Sequence, residues 1–271
     1  MEKISIVVPI FNAADYLEET VLMVFRQTYQ NWELILCDDG SEDGTLLIAM
    51  DYLKNFPDRI RLLQNHTNLG LNKTLNRCLE QATGEYIARM DGDDFSMPDR
   101  LEREVIFLDE HPEYAVVSCP MIYFDEHGDW GVGTAKEIPE PLDFVKGTPF
   151  CHAPCMVRAE AFQAANGYSL DPRTRRAEDY DLWFRLYELG YKGYNLQTPY
   201  YKMRDDESAY HRRKFKYCLN EAYVRATGFR RLKLPATSYV WVLRPIFVGL
   251  LPKCIYLKLH HKKKLNSRGT I

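Results

Sequence analysis

Glu85-Tyr86-Ile87-Ala88-Arg89-Met90-Asp91-Gly92-Asp93-Asp94 is the stretch on which the fold of this 271-residue chain turns. Its first half follows Gly84 as a short, mainly apolar run and reads as a buried strand. Its second half crowds three carboxylates at the strand exit, where open α/β sheets bind their ligands. Like charges this close repel, so the turn favours a cation. Hard oxygen ligands in a flexible turn suit Mg²⁺ or Mn²⁺, ions usually shared with substrate phosphates. An isolated acidic turn is more often merely solvated. Two further acidic clusters, Asp38-Asp39-Gly40-Ser41 and Glu178-Asp179, shift that balance.

Upstream, strand and helix signals alternate. Ile4 to Pro9 reads as a buried strand with Pro9 at its end. Asn12 can cap a helix with Leu17, Val21, Val24 and Phe25 on its apolar face. Trp32 to Cys37 is the next strand, a helix runs from about Thr45 to Asn55, and Ile60 to Leu63 is a third strand. Leu71 to Ala82 is helical, and Pro98 opens a helix after the acidic turn. This βαβα alternation predicts an α/β fold with a doubly wound, mostly parallel sheet and flanking helices.

Downstream, Tyr114 to Tyr123 reads as one strand, and Asp125 to Thr148 as a long loop. Asp179 to Leu189 is an amphipathic helix with Leu182, Leu186 and Leu189 inward, and His211 to Ala226 is a further helix. No repeat or low-complexity linker interrupts the chain. The expected division is a catalytic domain over 1–210 and a basic helical C-terminal extension over 211–271.

Charge separates the same two parts. Residues 211–271 hold 15 of the 35 Lys and Arg residues but, of the 38 Asp and Glu residues, only Glu221. An acidic body suits a cation-dependent site, and a basic tail suits an anionic surface. The uncharged runs Leu234–Leu243 and Pro245–Pro252 are shorter than the ~18–20 residues that span a bilayer. The tail therefore reads as an interfacial anchor, with Lys262, Lys263 and Lys264 meeting lipid headgroups. Packing of the tail on the core is the competing reading. No apolar signal segment precedes Ile4, and seven scattered cysteines fit a reducing compartment. The expected location is the cytoplasm, peripherally on the inner face of the cell membrane. Cys151 and Cys155 flank His152, but no second pair stands at zinc spacing.

Asp39 closes a strand and can accept an N–H from a nucleobase. Asp39, Ser41, Asp43 and Gly44 mimic an EF-hand start, but Met50 stands where the bidentate Glu is needed. Asp93, with Asp91 or Asp94, can hold a cation on a diphosphate. Asp179 opens a helix, where its ionised form is favoured. With an ordinary pKa of ~3.9 it is a base at neutral pH, able to take a proton from an attacking hydroxyl. No G-x-x-x-x-G-K-[ST] or G-x-G-x-x-G segment supports an ATPase or a nicotinamide enzyme.

Ile6-Val7-Val8-Pro9-Ile10-Phe11-Asn12, Asp38-Asp39-Gly40-Ser41, Asn68-Leu69-Gly70-Leu71, Ala88 to Asp94 and Glu178 to Trp183 stand in the order and spacing of family 2 glycosyltransferases. The chain resembles that family over roughly residues 3–210. The resemblance implies a GT-A fold, a nucleotide-sugar donor (UDP-, GDP- or dTDP-linked), a divalent cation and inversion at the anomeric carbon. It is similar above all to bacterial members that build lipopolysaccharide, capsule or other surface polysaccharides on saccharide or lipid-linked acceptors. No nucleic-acid partner is expected.

By the same resemblance Pro9, Asn12 and Asp39 lie at nucleoside-binding positions, with Asp38 supporting the turn. Asn68 and Gly70 border the nucleotide. Asp93 is the direct metal ligand with Asp91 beside it, and Asp94 faces the donor sugar. Asp179 is the base and Glu178 positions it or binds acceptor. His152 lies near the donor pocket. Many relatives carry Tyr-Arg-x-His after the base helix, where this chain has Tyr201-Lys202-Met203-Arg204. Arg204 cannot ligate a metal but can neutralise a departing diphosphate. His211 is a remote substitute, so the third metal or phosphate contact stays open. Arg173, Arg175 and Arg176 form a mobile loop over the phosphates, meet an anionic acceptor, or make a solvated turn. Trp183, Tyr180, Trp130 and Tyr123 are offered either to sugar rings or to packing. The alternatives are a sugar-nucleotide nucleotidyltransferase, for which Phe11 to Asp15 lacks the Gly-rich basic loop, and a non-catalytic sugar-nucleotide-binding protein at the membrane.

Overall fold

The computed structural model describes residues 2–205 and 214–251. Its centre is β1 (Ile4–Ile10), a run of buried side chains that parts by alternation. Ile4, Ile6, Val8 and Ile10 enter one core and Val7 the opposite one. A strand buried on both faces belongs inside a parallel sheet. It lies between β2 (Trp32–Asp38) and β4 (Tyr86–Arg89), parallel to both, and β3 (Ile60–Gln64) extends the sheet beyond β2. The crossovers are α1 (Leu17–Phe25), α2 (Thr45–Asn55) and α3 (Leu71–Gln81).

The far side of the sheet was less regular in sequence and is less regular in structure. β4 pairs antiparallel with β9 (Met156–Arg158), then come β6 (Val116–Ser118) and β10 (Gly193–Asn195). A second sheet has the order β5 (Phe95–Ser96), β11 (Tyr201–Arg204), β7 (Met121–Asp125), β8 (Gly128–Val132). The strand expected over Tyr114 to Tyr123 is thus two, divided between sheets. Pro120 stands at the break, where it can donate no ladder hydrogen bond. The expected loop from Asp125 to Thr148 is also ordered. It carries β8 and a 3₁₀ turn, Pro141–Val145, whose Phe144 is fully buried against Tyr180, Phe184 and Tyr187.

The remaining helices are α4 (Arg100–Glu110), α5 (Ala159–Ala164), α6 (Glu178–Glu188), α7 (Phe215–Arg231) and α8 (Arg244–Leu250). Leu182 and Leu186 of α6 are buried as expected, but Leu189 follows the last turn and is 52% exposed. Trp183 and Tyr180 are core residues, which favours packing over sugar contact. Val224 and Phe229 of α7 enter the same core, and Gly228 gives Phe184 room that a Cβ would take. His211, the start of the helix expected there, and the lysine cluster 262–264 lie outside the described residues.

Local polar bonds set the sheet register. Glu33, at the start of β2, accepts Ser5 Oγ at 2.6 Å and the Thr83 N–H and Oγ1–H at 2.8 Å each. Lys3 Nζ adds a bond of 3.0 Å. Next to Thr83, Gly84 passes so near β1 that a Cβ would lie 2.5 Å from the Lys3 carbonyl. Burial alone would push the Glu33 carboxyl up, but the bonds from Ser5, Thr83 and Lys3 outweigh it and hold the pKa at about 2. Glu33→Ala is expected to cost about 3 kcal/mol at pH 7, read by urea unfolding. A depressed carboxylate stabilises above its unfolded pKa, so the gap between wild type and variant should narrow as pH falls from 4.5 toward about 2.

Candidate active site

A cleft of about 430 Å³ opens over the C-terminal ends of β1, β2 and β4. Pro9, Asn12, Asp39, Asn68, Gly70, Asp91, Asp93 and Glu178 line it, so residues far apart in sequence meet where the topology brings strand ends together. Asn12 does not cap α1, whose first turn receives no side-chain bond. Instead Asn12 adopts a positive φ of 49°, accepts the Glu42 N–H at 3.0 Å and donates its own N–H to Ser41 Oγ at 2.9 Å. It thereby ties the loop after β1 to the loop after β2.

Asp39 organises the opposite wall. Its carboxylate accepts Asn65 Nδ2 and the Leu69 N–H at 2.8 Å and the Gly70 N–H at 2.9 Å. A carboxylate has about four acceptor sites, so one remains for a ligand N–H. Asp38 accepts the Ser41 N–H at 3.3 and 3.4 Å, the turn-supporting geometry expected of it. Gly40 makes the close approach possible. Its φ is +76°, and a Cβ there would lie 2.8 Å from the Thr67 backbone.

The acidic turn is held from beneath by Arg89, the last residue of β4. Arg89 is buried, and its Nη2 meets Asp91 Oδ1 at 2.5 Å. The Asp91 N–H donates to the Tyr201 hydroxyl at 3.1 Å. Asp91 and Asp93 face both this cleft and a second one of about 520 Å³ on the far side of the turn. Asp94 lies on the second cleft only, where its Oδ1 accepts the Arg204 N–H at 2.9 Å. Burial, then the charge of Asp91, pushes the Asp94 carboxyl up to about 8. Arg204 also lines the second cleft, its guanidinium between the rings of Tyr16 at 4.6 Å and Phe124 at 4.7 Å.

Among the described residues no three His, Cys, Asp or Glu side chains are arranged to hold a metal ion. Asp91 and Asp93 nevertheless supply hard oxygens beside a cleft that takes a ligand. That donor set fits an Mg²⁺ or Mn²⁺ ion shared with substrate phosphates, which needs only one or two protein carboxylates.

Asp179 is partly exposed at the first turn of α6, next to Glu178, which lines the donor cleft. Asp179 itself lines neither cleft. Burial, then the charge of Glu178, raises its carboxyl to about 6, against the opposing pull of the Tyr180 N–H and Arg89. His152 also lies off both clefts. Its Nε2 is 2.8 Å from the Tyr168 hydroxyl and its ring stands edge-on to Trp183. Burial, reinforced by Arg89, drives its pKa well below the ordinary value, so it is a neutral, packed imidazole. Sequence reasoning missed Arg89 and Tyr201. The available signal was a lone arginine inside an otherwise apolar strand.

A family model described as Glycosyl transferase family 2 matches residues 5–164, and one described as Glycosyl transferase family group 2 matches residues 86–261. A Bacillus subtilis (strain 168) protein named as the glycosyltransferase EpsE is 46% identical over 98% of this chain and 96% of its own length. The chain belongs to glycosyl transferase family 2. The amylovoran biosynthesis glycosyltransferase AmsE of Erwinia amylovora is 29% identical over 84% of this chain and 88% of its own. Among solved structures, S. aureus TarS 1-349 in complex with UDP-GlcNAc matches with a TM-score of 0.71 at 20% identity, over 91% of this chain and 72% of that one. The mannosyltransferase PcManGT of Pyrobaculum calidifontis, in complex with GDP-Man and Mn²⁺, gives 0.67 at 20% identity, over 97% and 81%. The fold is therefore GT-A, and this family 2 glycosyltransferase transfers a sugar from a nucleotide-sugar donor.

A base must be ionised to act, so kcat/KM should fall about tenfold per pH unit below the Asp179 value of about 6. Because Glu178 raises that value, Glu178→Gln should move the acid limb to lower pH whatever it does to the plateau. A pH–rate profile of both proteins checks this, and an unmoved limb would exclude the coupling.

Proposed function

We propose that this family 2 glycosyltransferase is a cation-dependent inverting enzyme of cell-surface polysaccharide synthesis, working peripherally on the inner face of the cell membrane, with residues 1–210 as its catalytic part. The observation that carries the reading is the convergence of Asp39, Asp91, Asp93 and Glu178 from separate segments on one cleft. Pro9, Asn12, Asn68 and Gly70 form the nucleoside end, with Asp39 accepting from the base. Asp93 and Asp91 hold the cation, which when bound adds positive charge to the donor diphosphate.

Asp179 takes the proton of the acceptor hydroxyl as its oxygen bonds to the anomeric carbon. The bond from that carbon to the diphosphate breaks on the opposite face, so configuration inverts in a single displacement. Arg204, held between two rings beside Asp93, adds a fixed positive charge near the departing diphosphate. His152 supports the wall behind Asp179 as a neutral ring. Support for a polysaccharide product comes from relatives such as AmsE, and support for the cation from the Mn²⁺ bound to PcManGT.

Incubation with UDP-, GDP- and dTDP-sugars, with and without Mn²⁺, should release nucleoside diphosphate only with metal. Pyrophosphate release would instead indicate a nucleotidyltransferase, and no release a binding protein. Asp93→Ala is expected to lose Mn²⁺-dependent nucleotide binding by calorimetry while staying folded. Asp179→Asn should bind donor normally yet transfer at least ~10²-fold more slowly.

No helix among the described residues is long and apolar enough to cross a membrane. The segment before residue 251 nonetheless exposes Val240, Phe247 and Leu250 at 66, 63 and 64%, as an interfacial contact requires. Replacing all three by Ser should reduce flotation with anionic vesicles several-fold and leave donor hydrolysis unchanged. Undiminished flotation would exclude these side chains as the contact.

A further inference from the structure

We infer that Asn65 is a positioning residue that makes the nucleoside end of the first cleft select a base with a single ring N–H, uracil or thymine, over guanine and cytosine. The inference rests on the donor-site reading above, which leaves the base open, and adds the class of nucleotide. Asn65 lines neither cleft and is 2% exposed, so it acts on a ligand only through Asp39.

Asn65 follows β3, and its N–H donates to the Asp38 carbonyl at 2.8 Å, which holds it beside the end of β2. Arg77 of α3 fixes the orientation of the side-chain amide. Its Nη1 meets Asn65 Oδ1 and also donates to the Gln64 carbonyl at 2.8 Å. A guanidinium has donors and no acceptor, so it can face only the amide oxygen. The amide nitrogen is thereby turned inward, where it reaches Asp39 Oδ1 at 2.8 Å and Thr74 Oγ1 at 3.2 Å. Thr74 is fully buried, and its hydroxyl donates in turn to the Gly70 carbonyl at 3.1 Å.

The effect on the two oxygens of Asp39 is unequal. Oδ1 accepts from both Asn65 and the Leu69 N–H, which fills its acceptor capacity, whereas Oδ2 accepts only the Gly70 N–H. The remaining acceptor position therefore lies on Oδ2 alone. Guanine presents parallel donors, its ring N–H and its exocyclic amine, and a carboxylate that takes both needs a free position on each oxygen. Uracil and thymine present a single N–H flanked by carbonyls, an imide that the position on Oδ2 satisfies. Cytosine presents a ring-nitrogen lone pair there, which a carboxylate repels. A site built to pair with one N–H rejects bases that leave its buried polar groups, or their own, unpaired.

The test is calorimetry on the full-length protein with Mg²⁺, titrating UDP, dTDP, GDP and CDP in turn. UDP or dTDP should bind at least ~10-fold more tightly than GDP and CDP, and the tighter of the two imides identifies the base. Asn65→Leu keeps the bulk and frees Oδ1, so the preference for the imide nucleotide over GDP should shrink at least ~5-fold. Arg77→Met, at a half-buried position, releases the amide and should shrink the preference in the same direction. It decides the matter where Asn65→Leu fails to melt cooperatively. With the preferred nucleotide sugar, KM should rise in both variants while kcat holds. GDP or CDP bound by the wild type as tightly as UDP and dTDP would overturn the base class. Variants that weaken all four nucleotides by one common factor, as loss of a merely structural residue would, overturn the role of Asn65. A wild type that binds none of the four would instead strike the donor reading, and the inference with it.

Discussion

A guanidinium only 5% exposed at the last residue of a central strand needs negative charge within reach. Arg89 finds it in Asp91, two residues on, and that pair fixes the path of the turn that follows. The Arg89 carbonyl in turn accepts Arg100 Nη1 at 3.0 Å, which anchors the start of α4. The same buried charge acts on the opposite side of the site, where it lowers His152 and limits the rise of Asp179. One cation beneath the acidic turn thus couples the carboxylates proposed for the metal to the carboxylate proposed as base.

The acidic turn lines two clefts at once. A displacement at carbon needs nucleophile and leaving group on opposite faces of the reacting centre. Asp91, Asp93 and Arg176 line both clefts, so on the proposed mechanism they stand beside the reacting centre. Asp39 lines the first cleft only, where on the proposed mechanism it holds a part of the donor that does not react. Binding energy gained at such remote contacts is what can hold two substrates in reacting geometry.

The parallel half of the sheet was legible because each strand is a buried apolar run and each run ends in a polar turn. The site residues on those turns followed directly, since topology brings the strand ends together. The other half was not legible. β9 is short and enters antiparallel between β4 and β6, a pairing set by contacts distant in sequence. Asn12 looked like a cap, yet the nearest loop offered its amide a better partner in the Glu42 N–H. The resemblance puts His152 near the donor pocket, whereas its ring packs on Tyr168 and Trp183 and lines neither cleft, since motifs record residue type and not orientation. Arg176 read equally as a phosphate loop or a solvated turn, because only the folded chain brings it to the wall of both clefts.

Arg204 gives the site a character that the sequence departure only hinted at. Where many relatives carry His, this chain holds a group that keeps its charge across all working pH values. A histidine near the diphosphate would lose charge as pH rises through neutrality, imposing a second limb on activity. On the reading proposed above, a guanidinium held between Tyr16 and Phe124 stands there instead and imposes no such limb. His152, packed on Tyr168 and Trp183, has its pKa lowered well below the ordinary value by burial and then by Arg89. Asp179 stands beside Glu178 at the start of α6, and burial followed by that neighbouring charge raises its carboxyl to about 6, which brings its ionisation close to neutrality.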